Sequence, residues 1–412
     1  MASSTPGSDL GGGAAGTLER GGGNNAIQKP SLSPPMTAAE APEEIRAAVY
    51  DRKAQEGIKV VTKRAPKPRR GDVLVRVKAC GVNPVDAKFV LADKLPESWR
   101  GTARWLVDGH VAGFDLSGVV ERTCPGSGFE VGEEVFGAVP PLVGSFADLV
   151  SVPPAQLSAK PKSLTHAEAA SLVLPGLTVV QALRQHGFRP GCRVLVIGAS
   201  GGVGHIAVQV AAAEGAGLVV GVCSGRNAEF VKSLGADEVL DYEALAPDDD
   251  DVGDPLVERL QDIVIEHGGP FDIVLDTVSS HDARDVLHGY AGRIRAAVDP
   301  GLVDTGPDAD GHNYVTVGGK TGGWVTAGLK RMTGVDMFAR GETLFWIDFN
   351  ACAPDLKHLR SLADGVGSGG GGSCRAVKPA IEKTVPLTDD GVREAFRLLH
   401  GRRVVGKLAI EL

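Results

Sequence analysis

The stretch "VLVIGASGGVGHIAVQVA", residues 194–211, constrains this chain more than any other. An apolar run fit for a buried parallel strand enters a glycine loop, and apolar residues at helical spacing leave it: Val203, Ile206, Ala207, Val210 and Ala211. Gly198 turns the chain, Gly201 and Gly202 leave backbone open, and Gly204 lets the helix pack tightly on the sheet. Strand, loop and helix in that order set amide N–H groups and a helix dipole toward an incoming pyrophosphate. The loop Gly198, Ser200, Gly201, Gly202, Val203 and Gly204 is therefore expected to hold a dinucleotide.

The second strand, "LVVGVC", decides which dinucleotide. An acid about 20 residues past the loop would bond the ribose 2′-hydroxyl of NAD. Here the position falls in "VCSGRN", which offers Ser224 and Arg226 instead. A hydroxyl and a guanidinium suit a 2′-phosphate, so the expected cofactor is NADPH. The alternative for Arg226 is an exposed arginine at a helix start.

The pattern continues with "NAEFVKSL" (helix), "EVLDY" (strand), "LVERLQDIVIEHG" (helix), "FDIVLDTV" (strand) and "YVTVGG" (strand). Alternation of this kind gives an α/β, doubly wound parallel sheet covered on both faces. Residues 43–160 have another texture: short β-branched runs such as "IRAAVY", "KVVTKR", "DVLVRVKACGV" and "LSGVVE", punctuated by Gly and Pro, predict a mostly β domain. Between the two, "SLTHAEAASLVLPGLTVVQALRQHG" opens with Thr165 and Glu168 in capping-box spacing. Pro175-Gly176 is expected to break that helix, with a second helix running to Gly187. Near the end, Val392, Ala395, Phe396 and Leu399 line one helix face, and "KLAIEL" reads as a strand.

Residues 1–42 are rich in Ser, Gly and Ala and are expected to be disordered. Abundant Ser and Ala suit a transit peptide, whereas scarce Arg and the acids Asp9 and Glu19 do not. Cytoplasm and mitochondrion or plastid thus both stay open. "APDDDDVGD" (246–254) and "GVGSGGGGS" (365–373) read as surface loops. The net charge of −8, with no basic stripe, argues against nucleic acid. No apolar run reaches the length of a membrane span. The six cysteines, Cys80, Cys124, Cys192, Cys223, Cys352 and Cys374, are widely and irregularly spaced and read as reduced thiols.

Together these segments resemble the medium-chain dehydrogenase/reductase superfamily, in its quinone oxidoreductase-like branch. The likeness spans nearly all of residues 43–412 and is carried by "VKACGVNPVDAK", "VAGFDLSGVVE", "GSFADLVSV", "AASLVLPGLTVVQAL", "VLVIGASGGVG", "VKSLGADEVLDY", "FDIVLDTV" and "VVGKLAIEL". Within the branch the chain looks most like the reticulon-interacting mitochondrial oxidoreductases and the plant quinone oxidoreductase homologues. The resemblance implies a GroES-like catalytic domain at 43–160, a Rossmann domain at 161–345 and a C-terminal segment, 346–412, returning to the catalytic domain. It implies Tyr242 near the adenosine end, Asn83 near the nicotinamide ribose and substrate, Thr178 near the nicotinamide end and Lys407 close to the cofactor. The bland alternatives are a half-buried sheet residue for Tyr242, a helix-start residue for Thr178 and a surface lysine for Lys407. A homodimer is also suggested.

Zinc-dependent members of the superfamily bind metal through a Gly-His-Glu histidine. Matching "VAGFDLSG" to that pattern sets Gly113 on the Gly, Asp115 on the Glu and Phe114, which cannot bind metal, on the His. His110 lies too early and reads as a loop or packing residue. A catalytic zinc needs three protein ligands, and three cannot be assembled here. The expected function is hydride transfer from NADPH to a quinone or α,β-unsaturated carbonyl, with no metal. The alternatives are an enoyl-thioester or ubiquinone-pathway reductase and an NADPH-binding scaffold or sensor with little turnover. Related enoyl reductases carry a Tyr soon after the Asn-Pro segment; none occurs in "NPVDAKFVLADKLPESW". Lys88 is the candidate donor there, with an exposed lysine as the alternative.

Overall fold

The computed structural model describes residues 42–88, 107–140, 143–247, 253–279, 289–297, 301–304, 313–318, 343–345, 347–349, 352–367 and 374–412. The expectation of disorder for the N-terminal segment, and the centres of both surface loops, lie outside them.

Two sheets organise these residues. The first is parallel, with β8 (Arg193–Ile197), β9 (Leu218–Cys223), β10 (Glu238–Asp241), β11 (Ile273–Asp276), β12 (Tyr314–Val317) and β13 (Thr343–Phe345) in the order β10-β9-β8-β11-β12-β13. Its strands are short apolar runs, as burial on both faces demands: every residue of β9 and β11 is buried. Chain order reverses at β8, whose neighbours are β9 and β11, so a crevice opens at the carboxyl ends of these strands.

The second sheet is largely antiparallel. It contains β3 (Val73–Val82), β4 (Asp115–Arg122), β5 (Glu134–Ala138), β6 (Leu149–Val152), β7 (Leu157–Ala159), β14 (Ile381–Pro386) and β15 (Lys407–Glu411). The last strand of the chain pairs with β3, Leu408 opposite Val82 and Ile410 opposite Cys80, so the C-terminus returns to this sheet. A hairpin of β1 (Glu44–Tyr50) and β2 (Ile58–Arg64) reaches the sheet's loops through Ala47–Ala147 and Val49–Val111.

Helix α2 (His166–Gln185) follows α1 (Pro84–Lys88) in the chain and lies between the two sheets. Its core partners include Phe136 and Ala138 of β5 and Val194 and Val196 of β8. Thr165 caps it, with the Thr165 side chain on the Glu168 amide and the Glu168 carboxylate on the Thr165 amide, as the spacing predicts. The expected break at Pro175-Gly176 is overturned: one helix runs unbroken through both residues. Every residue from Ala169 to Leu183 is buried, and that packing outweighs the single hydrogen bond that Pro175 removes. Gly176 serves close approach rather than a break, because a Cβ there would stand 2.7 Å from Leu359 of α7 (Ala353–Ala363).

Four more α-helices are α3 (Gly204–Ala213), α4 (Ala228–Ser233), α5 (Pro255–Glu266) and α6 (Gly289–Ala296). An eighth, α8 (Asp389–His400), buries Val392, Ala395 and Phe396. All six cysteines are free thiols.

Candidate active site

The glycine loop joins β8 to α3 at the point where the sheet order reverses. Gly198 has φ +80°, a conformation that side chains resist, and its carbonyl accepts from Gly201 N–H at 3.0 Å. A Cβ on Gly204 would stand 2.1 Å from Gly198 O, so only glycine lets the helix start this close to the turn. Gly202 faces the C-terminal strand: a Cβ there would come 3.4 Å from Gly406 O and 3.5 Å from Lys407 Cδ. Gly406 N–H donates to Ser200 O at 2.9 Å and ties that strand to the loop.

His205, in the first turn of α3, reinforces the tie. Its Nδ1 lies 2.8 Å from Gly201 O, and its Nε2 accepts from Ala380 N–H at 3.2 Å. That pattern is a neutral imidazole protonated on Nδ1. Burial pushes the pKa down to about 4, and the Lys407 charge adds to the effect.

At the end of β9 the expected phosphate-binding residues gather. Asn227 Nδ2 donates to Ser200 Oγ at 3.1 Å and to Ser224 Oγ at 3.2 Å, linking the loop to the second strand. Ser224 is buried and Arg226 is exposed, one residue before Asn227. The Arg226 charge reaches Tyr242, which follows β10 and stacks flat on Tyr290 of α6 with ring centroids 3.9 Å apart. The strand end carries no carboxylate; Asp241, on the next strand, accepts from Glu243 N–H.

At the other end of the loop lies a buried charged cluster. Lys407, the first residue of β15, is only 3% exposed, which overturns the surface-lysine alternative. Its ammonium donates to Val82 O at 2.8 Å and to Asn83 Oδ1. Asn83 Nδ2 donates in turn to Asp115 Oδ2 at 2.8 Å, and Asn83 N–H to Asp86 Oδ2 at 2.7 Å. Asp115 and Asp86 are fully buried, and Oδ1 of each has no hydrogen-bond partner. Burial lifts the Asp115 carboxyl to about 7 against the lowering pull of Lys407, raises Asp86, and lowers Lys407.

Sequence reasoning set Asp115 beside the glutamate of the zinc pattern but gave neither it nor Asp86 a role. The three-residue spacing of Asn83 and Asp86 was the available signal, since it is a capping pair at the start of α1. Tyr50, buried at the end of β1, was also missed; the Asp86 charge and burial both raise its hydroxyl pKa. No local pattern in the sequence relates residues 50 and 86, because the hairpin brings them together.

Other expected residues stand apart. Thr178 lies mid-helix in α2, not at a helix start, and its buried hydroxyl donates to Leu174 O at 2.8 Å. Lys88 ends α1, and its side chain lies outside the described residues. His110 is an exposed loop residue whose carbonyl accepts from Tyr50 N–H. Phe114 is buried and stacks on Phe349 at 5.9 Å between centroids. Among the described residues one group has metal-ligand chemistry, Glu238, Glu266 and His267, but Arg259 already bonds both carboxylates, at 3.0 and 2.9 Å.

Comparison with known proteins agrees with this geometry. Residues 69–162 match the alcohol dehydrogenase GroES-like domain, and residues 202–290 match the zinc-binding dehydrogenase family. The chain is 30% identical over 425 residues to human mitochondrial NAD(P)H oxidoreductase RTN4IP1, covering 94% of each chain. It is 30% identical over 330 residues to tomato (Solanum lycopersicum) 2-methylene-furan-3-one reductase, covering 72% of this chain and 83% of that one. Among solved structures, the quinone oxidoreductase from Coxiella burnetii superposes with a TM-score of 0.65 at 25% identity, covering 90% of this chain and 99% of that one.

Proposed function

This chain belongs to the medium-chain dehydrogenase/reductase superfamily, in its quinone oxidoreductase-like branch, and is an oxidoreductase with a nicotinamide cofactor; on that premise we propose that it is an NADPH-dependent, zinc-independent reductase of quinones or α,β-unsaturated carbonyls. The observation that carries this reading is the meeting of the glycine loop with the Lys407–Asn83 pair at Gly202. Hydrogen bonds link Ser224 through Asn227 and Ser200 to Gly406, the residue before Lys407, and so tie the end of β9 to the buried polar groups on the antiparallel sheet.

The residues fit the cofactor. Past the turn, Gly201 and Gly202 leave backbone bare where a Cβ would stand only 3.3 Å from Gly198 O and 3.4 Å from Gly406 O. Gly198, Ser200, Gly201, Gly202, Val203 and Gly204 would hold the pyrophosphate. Ser224, Arg226 and Tyr242 would hold the 2′-phosphate end, and Lys407, Asn83 and Thr178 the nicotinamide end. When bound, the cofactor supplies the hydride. The protein's share is position and charge, with Asn83 oriented by Asp115 and Lys407. Phe114 supports zinc independence: it stands where the zinc pattern needs its histidine, and it is packed on another aromatic ring. Lys88 is retained as a candidate donor. The domain limits 43–160, 161–345 and 346–412 and a homodimer belong to the same proposal. A mitochondrial or plastid home is compatible with the mitochondrial relative, and no helix among the described residues can cross a membrane.

Fluorescence titration of the purified protein with NADPH and NADH tests the reading, followed by oxidation assays with quinones and enones. Tight NADPH binding, weak NADH binding and acceptor-dependent oxidation are expected. Binding without turnover on any acceptor would leave a scaffold or sensor, and no binding of either nucleotide would sink the reductase reading.

A further inference from the structure

We propose that Asp115 is a positioning residue of the nucleotide site that takes up a proton when NADPH binds. The inference rests on the reductase reading and adds to it a proton-linked role that the sequence reading did not give Asp115. Three observations lead to it. Asp115 is joined to Lys407 through one side chain, Asn83, which donates to the carboxylate and accepts from the ammonium. Lys407 lies against the glycine loop, its Cδ 3.5 Å from a Cβ built on Gly202. Asp115 Oδ1 is buried with no hydrogen-bond partner, which takes away one source of stabilisation for the ionised carboxyl.

The physical step is charge balance in a medium of low dielectric. Bound phosphates bring negative charge to the N-terminal end of α3. An ionised Asp115 sits nearby with its own charge and opposes them, whereas protonation of Asp115 removes that opposition and leaves more of the Lys407 charge to attract them. Binding therefore favours the protonated carboxyl. By linkage, protonation favours binding equally.

The sign follows. Free Asp115 titrates at about 7. Below that pH the group is already protonated and contributes no pH dependence. Above it the free protein must bind a proton to bind the nucleotide, so affinity falls by up to roughly tenfold for each unit of pH. The 2′-phosphate, with a pKa of about 6, is ionised throughout this range and does not contribute.

Other titratable groups face this cluster. They are Asp86 on α1, Cys80 on β3, Tyr50 on β1 and His205 on α3. Burial holds the Cys80 thiol and Tyr50 hydroxyl well above their ordinary values and therefore neutral in this range, and His205 is neutral as well. On α2, His166 pairs with Glu134 of β5 beside Ser117, two residues along β4 from Asp115. Asp86 is the other carboxyl here that burial raises; its Oδ2 accepts from the Asn83 backbone N–H at 2.7 Å, and Lys407 and Asn83 lower it as they lower Asp115.

Calorimetric titration with NADPH between pH 7.5 and 8.5, in buffers of different ionisation enthalpy, counts the protons taken up. The wild-type protein is expected to take up most of one proton, and the Asp115→Asn variant none, with an affinity that no longer falls across this range. Equal uptake in both proteins overturns the assignment. Should the variant not fold, infrared difference spectra of the wild-type protein decide: NADPH is expected to raise absorption from protonated carboxyl, and no such gain overturns it. NADPH bound without proton uptake defeats this inference alone, whereas no NADPH binding defeats the reductase reading beneath it.

Discussion

The Lys407 ammonium donates to the Asn83 side-chain oxygen, 324 residues away in sequence, where the last strand of the chain lies beside β3. The pair closes the antiparallel sheet and holds a buried cation beside the glycine loop. Removing one partner of a buried charged set costs about 3–5 kcal/mol when the other charge is left uncompensated. For Lys407→Met that loss depends on pH. Without the ammonium, the Asp115 carboxyl rises further above about 7. A carboxyl raised in the folded state loses stability as pH rises toward its folded pKa, so the variant is expected to be more impaired at pH 8 than at pH 6. Urea unfolding at both values checks this; an equal loss at both would show that Asp115 does not answer to Lys407.

Gly204→Ala is expected to disable the loop. A Cβ there would meet Gly198 O at 2.1 Å and Ala199 Cα at 2.9 Å, both backbone atoms that cannot swing aside. Strain of this kind costs roughly 1–3 kcal/mol, and the helix start must shift away from the turn. Loss of nucleotide binding at temperatures where the variant is still folded, seen by fluorescence and circular dichroism together, is the expected result.

These residues also show what could be read in the chain alone. The loop and Thr165–Glu168 are local: their spacing carries their geometry, and both appear as expected. Pro175-Gly176 is local too, but packing decided it: α2 is buried along almost its whole length, and that burial outweighs a helix-breaking signal. The Asp115–Asn83–Lys407 cluster was half legible. Asn83 and Lys407 sit in recognisable segments, whereas the partner that couples to them becomes visible only when β3, β4 and β15 align. Tyr50 lay beyond sequence reasoning, since a hairpin fold-back carries it to its neighbours.

Arg226→Ala tests the choice of dinucleotide. The side chain is exposed beside Ser224 and Tyr242 and suits a phosphate more than a hydroxyl. A charge-assisted contact of this kind is worth roughly ten- to a hundredfold in affinity. NADPH binding should weaken by that factor while NADH binding stays unchanged. A parallel loss for both nucleotides would place Arg226 elsewhere on the cofactor.

Metal removal is expected to leave turnover untouched. Phe114 fills the histidine position of the zinc pattern, and the surface group at Glu238 is already bonded to Arg259. Dialysis against a strong chelator, followed by metal analysis and assay with a quinone acceptor, should show full activity and no stoichiometric zinc. Loss of activity restored by zinc would overturn the metal-free reading.

His205 gives the last test, and its sign is opposite to that of Asp115. Its ordinary pKa is 6.5 and its folded value is about 4, because burial, with the Lys407 charge, disfavours the imidazolium; Nε2 accepts from Ala380 N–H, as only the neutral ring can. The unfolded chain therefore binds a proton that the folded protein refuses. Stability from this group is fully present above pH 6.5 and is lost as pH falls toward 4, by about 3 kcal/mol in all. Asp115 works against it over the same range, since a carboxyl raised to about 7 gains folded-state stability as pH falls. The two contributions oppose each other between pH 6.5 and 4. His205→Gln removes one side of this balance and leaves the Asp115 contribution exposed. The variant should be less stable than wild type at pH 7 and approach it as the solution is acidified. Denaturant unfolding of both proteins across that range measures the difference; parallel profiles would mean that His205 takes its proton in the folded state and that the link to Ala380 does not hold the ring neutral.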